Sequence, residues 1–77
     1  PEVAREAGIQ GIVIARILVD KNGKYKKHMV LNAKQAHPVL VKAVEEKVNL
    51  ITFTPGRQAG RPVQVWVNIP FKFTLRN

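Results

Sequence analysis

The chain has no cysteine and no serine, and its acids are limited to Glu2, Glu6, Asp20, Glu45 and Glu46. These gaps remove whole classes of chemistry. Without Cys or Ser there is no thiolate metal site and no triad nucleophile of the usual kind. Histidine is confined to His28 and His37, separated by a strand end and a loop with no carboxylate at ligand spacing, so the sequence predicts no metal site. Glu2 and Glu6 share a helix face beside Arg5, which reads as a solvated surface and not as an acid–base pair. No apolar run approaches the ~20 residues that a membrane helix needs. The lack of thiols leaves the redox compartment open.

What remains is a short, basic, apolar-rich chain of 77 residues with a formal charge of +8 and 45% hydrophobic residues. A domain this small commits nearly every apolar side chain to one core and has little left to wall a catalytic cleft. Binding is therefore expected, with no enzymatic activity and no cofactor. Because Pro1 and not Met stands first, the sequence is expected to be one domain excised from a longer protein, with any anchor upstream.

Pro1 opens a short expected helix carrying Val3, Ala4 and Ala7, which Gly8 stops. From Gly11 the chain becomes β-branched on both faces, with Val13, Ala15, Ile17 and Val19 on one side and Ile12, Ile14 and Leu18 on the other. Such a strand belongs in the middle of a sheet. Asp20 to Gly23 reads as a tight turn into a second strand from Lys24 to about Leu31. There Tyr25, Met29 and Leu31 share a parity that Val30 breaks, which predicts a bulge or strong twist.

His37-Pro38 caps and opens a helix in which Leu40, Ala43, Val44, Val48 and Ile51 recur at three and four, with Lys42, Glu45, Glu46 and Lys47 opposite. Pro55, Gly56, Gly60 and Pro62 bracket a loop. From Val63 to Leu75 the alternation is the clearest in the chain. The expected fold is α+β, in the order α-β-β-α-β, with a three-stranded antiparallel sheet and two helices on its one consistently apolar face.

Pro70 lies within that last strand and has no N–H, so the strand should be an edge. Successive residues of a strand direct their backbone groups to opposite sides, so Gln64, Trp66 and Asn68 share the outward direction of Pro70. An open edge over Val63, Gln64, Val65, Trp66, Val67, Asn68 and Ile69 is either an ordinary blunted edge or a rail for an extended peptide; Pro70 and Lys72 blunt only its far end, which favours docking. Trp66 falls on the polar face, where it marks an interface or lies over Ile14 or Leu18. Lys21, Lys24, Lys26 and Lys27 surround Tyr25 at the hairpin, and with Arg61 they are candidate anionic contacts. The other cations are scattered through every element, so nucleic acid is only the second class of partner.

Pro1 with Ala4, Gly8-Ile9-Gln10-Gly11, Asp20 and Gly23, Phe53-Thr54-Pro55-Gly56, Gly60-Arg61-Pro62-Val63 and Ile69-Pro70-Phe71-Lys72-Phe73 occur in the order and spacing of one family. Over essentially its whole length the chain resembles the TonB C-terminal domain family. Ile51 and Thr52 stand where that family often has Trp and a basic residue. The resemblance implies a periplasmic domain of an energy transducer, tethered to the inner membrane by an upstream segment and coupled to a proton-driven ExbB/ExbD motor. Its implied partner is a TonB-dependent outer-membrane transporter for iron chelates, cobalamin or glycans, whose TonB box pairs with the last strand. Relatives also occur on sensor or peptidase receptors and in TolA-like envelope assemblies. The same open edge admits a second copy, so a homodimer is a further expectation.

Overall fold

The computed structural model describes residues 8–74, so the opening helix expected over 1–7 and the strand end at Leu75 lie outside the described residues. Strand β1, Gly11–Val19, is flanked on both sides by antiparallel neighbours, β2 (Tyr25–Val30) on one side and β5 (Val65–Phe73) on the other. Its double-sided apolar sequence explains the position. Val13, Ala15, Ile17 and Val19 are buried under the helix, and Leu18 on the other face is still only 7% exposed.

The turn after β1 is held by the Asp20 carboxylate, which accepts the N–H groups of Asn22 and Lys24 at 2.8 and 2.9 Å. Gly23 closes it at φ 81°, a left-handed conformation that glycine takes without steric cost. Strand β2, Tyr25–Val30, then returns along β1. Leu18 pairs with Lys27 but Val19 pairs with Tyr25, so a bulge lies between them. The shift brings Tyr25 to the same face as His28 and Val30, while Met29 and Lys27 face outward, which resolves the broken parity in this segment.

Helix α1, Pro38–Lys47, begins where His37 Nδ1 accepts the Val39 N–H at 3.1 Å with Pro38 in the first turn. It continues into a 3₁₀ turn, Val48–Leu50. Leu40, Val44 and Val48, spaced by four, are buried with Val13, Ala15, Ile17 and Val19 in one core. After the helix the chain is pinned to the hairpin turn. Phe53 N–H donates to the Gly23 carbonyl at 2.8 Å, and Thr52 bridges Lys24.

Two expectations are corrected here. The segment read as a loop is a small hairpin, β3 (Gly56–Gln58) with β4 (Arg61–Val63), turning at Ala59 and Gly60, which both have positive φ. Two successive left-handed residues close a two-residue hairpin whose twist suits the strands. Pro62 faces Arg57, the middle of the three pairs, where no N–H is required if the Gln58–Arg61 pair closes the turn with its hydrogen bonds. The long last strand is therefore interrupted. Val63 belongs to the hairpin as the partner of Gly56, Gln64 lies in the break, and β5 proper runs Val65–Phe73. The break falls where β1 ends, because Val65 faces Val19 and residues before it have no β1 partner. The described residues contain one α-helix with its 3₁₀ extension, where two helices were expected across the whole chain.

Candidate functional site

The direction of each backbone group in β5 follows from the hydrogen bonds of β1. Leu31 N–H donates to Ile14 O at 2.8 Å, Ile14 N–H donates to the Asn32 side-chain oxygen at 2.9 Å, and the Asn32 amide donates to Ile12 O at 2.9 Å. Even-numbered residues of β1 thus spend their backbone groups toward β2. Ile14 faces Pro70, Arg16 faces Asn68, Leu18 faces Trp66 and Ile12 faces Lys72. In an antiparallel ladder, partners directly opposite either exchange both bonds or neither. These four pairs exchange none, so Trp66, Asn68, Pro70 and Lys72 direct their backbone away from β1.

No strand among the described residues occupies the other side of β5. Trp66, Asn68 and Lys72 each present an N–H and a C=O there, and Pro70 presents a C=O. Pro70 fits because its missing N–H would have pointed outward. Within the stretch expected to dock, Val65, Val67 and Ile69 turn their backbone inward to β1, and Gln64 and Val63 stand off the strand as described above.

The side chains of β5 divide in the same rhythm. Val65, Val67, Ile69, Phe71 and Phe73 lie on the helix side, each half-buried, while Trp66, Asn68, Pro70 and Lys72 are exposed on the outer face. Trp66 is 40% exposed, with the Arg16 guanidinium 5.2 Å and the Lys27 ammonium 5.8 Å from its ring centroid. Both contacts lie within cation–π range. Leu18, opposite Trp66 on that face, is buried, so the ring serves as a partial cover for the back of β1 while keeping an open surface.

On the helix side, an apolar groove of about 490 Å³ runs between α1 and the end of β5, lined by Ala43, Val44, Val48, Ile51, Phe71 and Phe73, with Glu46 and Lys47 completing it. Sequence reasoning did not find it. Its residues are ordinary helix and strand core positions, and only the placement of the helix over β1 and away from β5 opens the space.

The candidate anionic contacts do not form a single patch. Lys21, Lys24 and Lys26 stay exposed around the β1–β2 turn, Lys27 turns to Trp66, and Arg61 sits on the separate β3–β4 hairpin. The Lys24 N–H, then the Asn22 N–H and the charges of Lys26 and Lys24, hold the Asp20 carboxyl below the usual carboxylate range against a desolvation that opposes them. His28 does meet a carboxylate, contrary to the spacing argument: Nε2 lies 3.0 Å from Glu45 Oε2, while Nδ1 lies 2.8 Å from the Tyr25 hydroxyl. This chain ties β2 to the helix. The described residues hold no cluster of three or more His, Cys, Asp or Glu suited to a metal, and no helix long and apolar enough to cross a membrane.

The model of the family described as Gram-negative bacterial TonB protein C-terminal matches residues 1–75. No curated protein matches the chain. That family comprises periplasmic, non-enzymatic interaction domains whose partners in general are outer-membrane transporters. With the match spanning nearly the full length, and a three-stranded antiparallel sheet that leaves its last strand at the edge, the chain belongs to the TonB C-terminal domain family.

Proposed function

We propose that this domain docks the TonB box of an outer-membrane transporter as a fourth strand along β5, and passes on force from an inner-membrane motor. The observation that carries the reading is the outward backbone of Trp66, Asn68 and Lys72 on an edge that no other strand among the described residues occupies, derived from the β1 register. Each ladder bond is worth about 1 kcal/mol net, and each ordered guest residue costs about as much. Backbone pairing alone therefore gives a weak, reversible contact, as a coupling that must be made and released requires.

Weak at equilibrium is compatible with strong under load. A guest strand pulled along its own length stretches several ladder bonds at once, whereas peeling breaks them singly. The pull would arrive through a segment preceding Pro1 that joins the domain to an inner membrane anchor and an ExbB/ExbD-type complex. The exposed lysines of the β1–β2 turn and Arg61 would add only long-range attraction for anionic partner loops, and the same free edge would let two copies pair at high concentration.

The test is a calorimetric titration of the domain with a TonB-box-like peptide, run beside a short DNA duplex at low and high salt. Peptide binding that changes little with salt, with duplex binding absent or lost at high salt, is the expected result. Duplex binding with a steep salt slope and no peptide binding would overturn the reading and favour a nucleic-acid module.

A further inference from the structure

The edge and the apolar groove are neighbours. Phe71 and Phe73 line the groove and belong to β5, whose other side pairs with no strand among the described residues. Helix α1 lies over β1, with Leu40 and Val44 buried beside Val13, Ala15 and Ile17, and none of the inward side chains of β5 is fully buried. The space left between helix and edge strand has the size of pockets that hold small ligands.

Resting on the edge-docking reading, we propose that this groove receives apolar side chains of the docked segment, so that the guest is selected by strict alternation. Successive side chains of an added strand point to opposite faces of the sheet. Guest residues beside Ile69, Phe71 and Phe73 put their side chains on the helix side, where the groove takes a branched or aromatic apolar group. Guest residues beside Trp66, Asn68 and Lys72 put theirs on the outer face.

The outer face favours the opposite chemistry. Across its rows the register sets Lys27, Leu18 and Trp66 side by side, then Met29, Arg16 and Asn68, with Lys72 beside Ile12 further along. Arg16, Lys27 and Lys72 lie on this face, Lys26 is exposed in the bulge of β2, and no carboxylate lies on these strands. Asp20 is in the turn and Glu45 and Glu46 are on the helix. Acidic side chains in the outer row of the guest are therefore favoured, because opposite charges adjacent across strands attract, and a hydroxyl there can accept a hydrogen bond from the same cations. Backbone bonds are the same for every sequence, so the groove and the cation row supply the discrimination that the ladder lacks.

The test uses the unaltered domain and short, blocked peptides that alternate Ile or Val with Glu or Thr. An isomer of identical composition with its apolar residues grouped at one end is expected to bind roughly tenfold more weakly or worse, because it can fill the groove only by misplacing its other residues. Nuclear Overhauser contacts are expected from guest methyl groups to the Phe71 and Phe73 rings and the Ile51 side chain. Ala43→Trp, which fills the groove from the helix, should weaken the alternating peptide by a similar factor and leave a peptide with Ala in the inner row unaffected. Should that variant not fold, the peptide pair decides alone.

Equal affinity of the two isomers, with the Trp66, Asn68 and Lys72 amides protected, would overturn the groove proposal while edge docking stands. Groove contacts already filled by the domain's own residues or by a second copy in the presence of bound peptide would overturn it too. Failure of every peptide to protect those amides would remove both.

Discussion

Two proline substitutions, one residue apart, separate the outward from the inward side of β5. Ile69 faces Ala15, and its N–H belongs to the ladder with β1. Ile69→Pro removes that donor and leaves the carbonyl of Ala15, a fully buried residue, without its partner, at a cost of about 2 kcal/mol. Misfit of the ring adds about 1 kcal/mol or more, and the trimmed, half-buried side chain about 1 kcal/mol. Asn68 directs its N–H to the open edge and its side chain to solvent, so Asn68→Pro costs within about 1 kcal/mol. The gap of about 3 kcal/mol is more than a hundredfold in the unfolding constant. Urea unfolding, followed by far-ultraviolet circular dichroism and by the fluorescence of the single tryptophan, Trp66, measures it directly. Asn68→Pro should stay near the parent while losing the guest's bond at that position. Destabilisation by Asn68→Pro equal to or greater than that of Ile69→Pro would refute the parity on which the edge reading stands.

Three further outcomes follow from other contacts. Asn32→Ala deletes the side chain that bonds both Ile14 N and Ile12 O, and should cost about 2 kcal/mol in urea unfolding, whereas Asn32→Asp should restore the acceptor half only. At Gly23 a Cβ would land on the Phe53 carbonyl oxygen while φ stays left-handed, so Gly23→Ala should cost about 3 kcal/mol, with the largest amide shifts at Thr52 and Phe53; a neutral result would contradict the pinning of this segment. Because the folded-state pKa of Asp20 is lowered, its contribution is present above the ordinary carboxylate range and fades as pH falls through the lowered value; the stability difference between parent and Asp20→Asn should therefore shrink on acidification, and a difference that grew would reverse the sign argument.

The parts of the fold legible in the sequence were those with a repeating or a forbidden pattern. Apolar residues on both faces placed β1 at the centre, His37-Pro38 marked a capped helix, and a proline inside an alternating run put β5 at an edge. Parity then carried the argument from the edge to the individual backbone groups. The β3–β4 hairpin escaped because three-residue strands are too short to show alternation, and because Ala59 sits at positive φ with nothing in its type to announce it. Asn32 escaped for a different reason. Its side chain imitates a strand partner for residues 18 and 20 positions earlier, and that distance is set by the tertiary fold. The groove and the His28–Glu45 contact are likewise products of how the helix lies on the sheet, which local pattern does not specify.

The central claim is that the even-numbered side of β5 is the docking rail, and amide-resolved hydrogen exchange with and without a TonB-box-like peptide tests it most directly. In the free domain, the amides of Val67, Ile69 and Phe71 should exchange slowly and those of Trp66, Asn68 and Lys72 quickly, because only the first set donates to β1. Saturating peptide should slow Trp66, Asn68 and Lys72 by roughly tenfold or more and leave the first set unchanged. Bound peptide with Trp66, Asn68 and Lys72 still exchanging at their free rates would contradict the account.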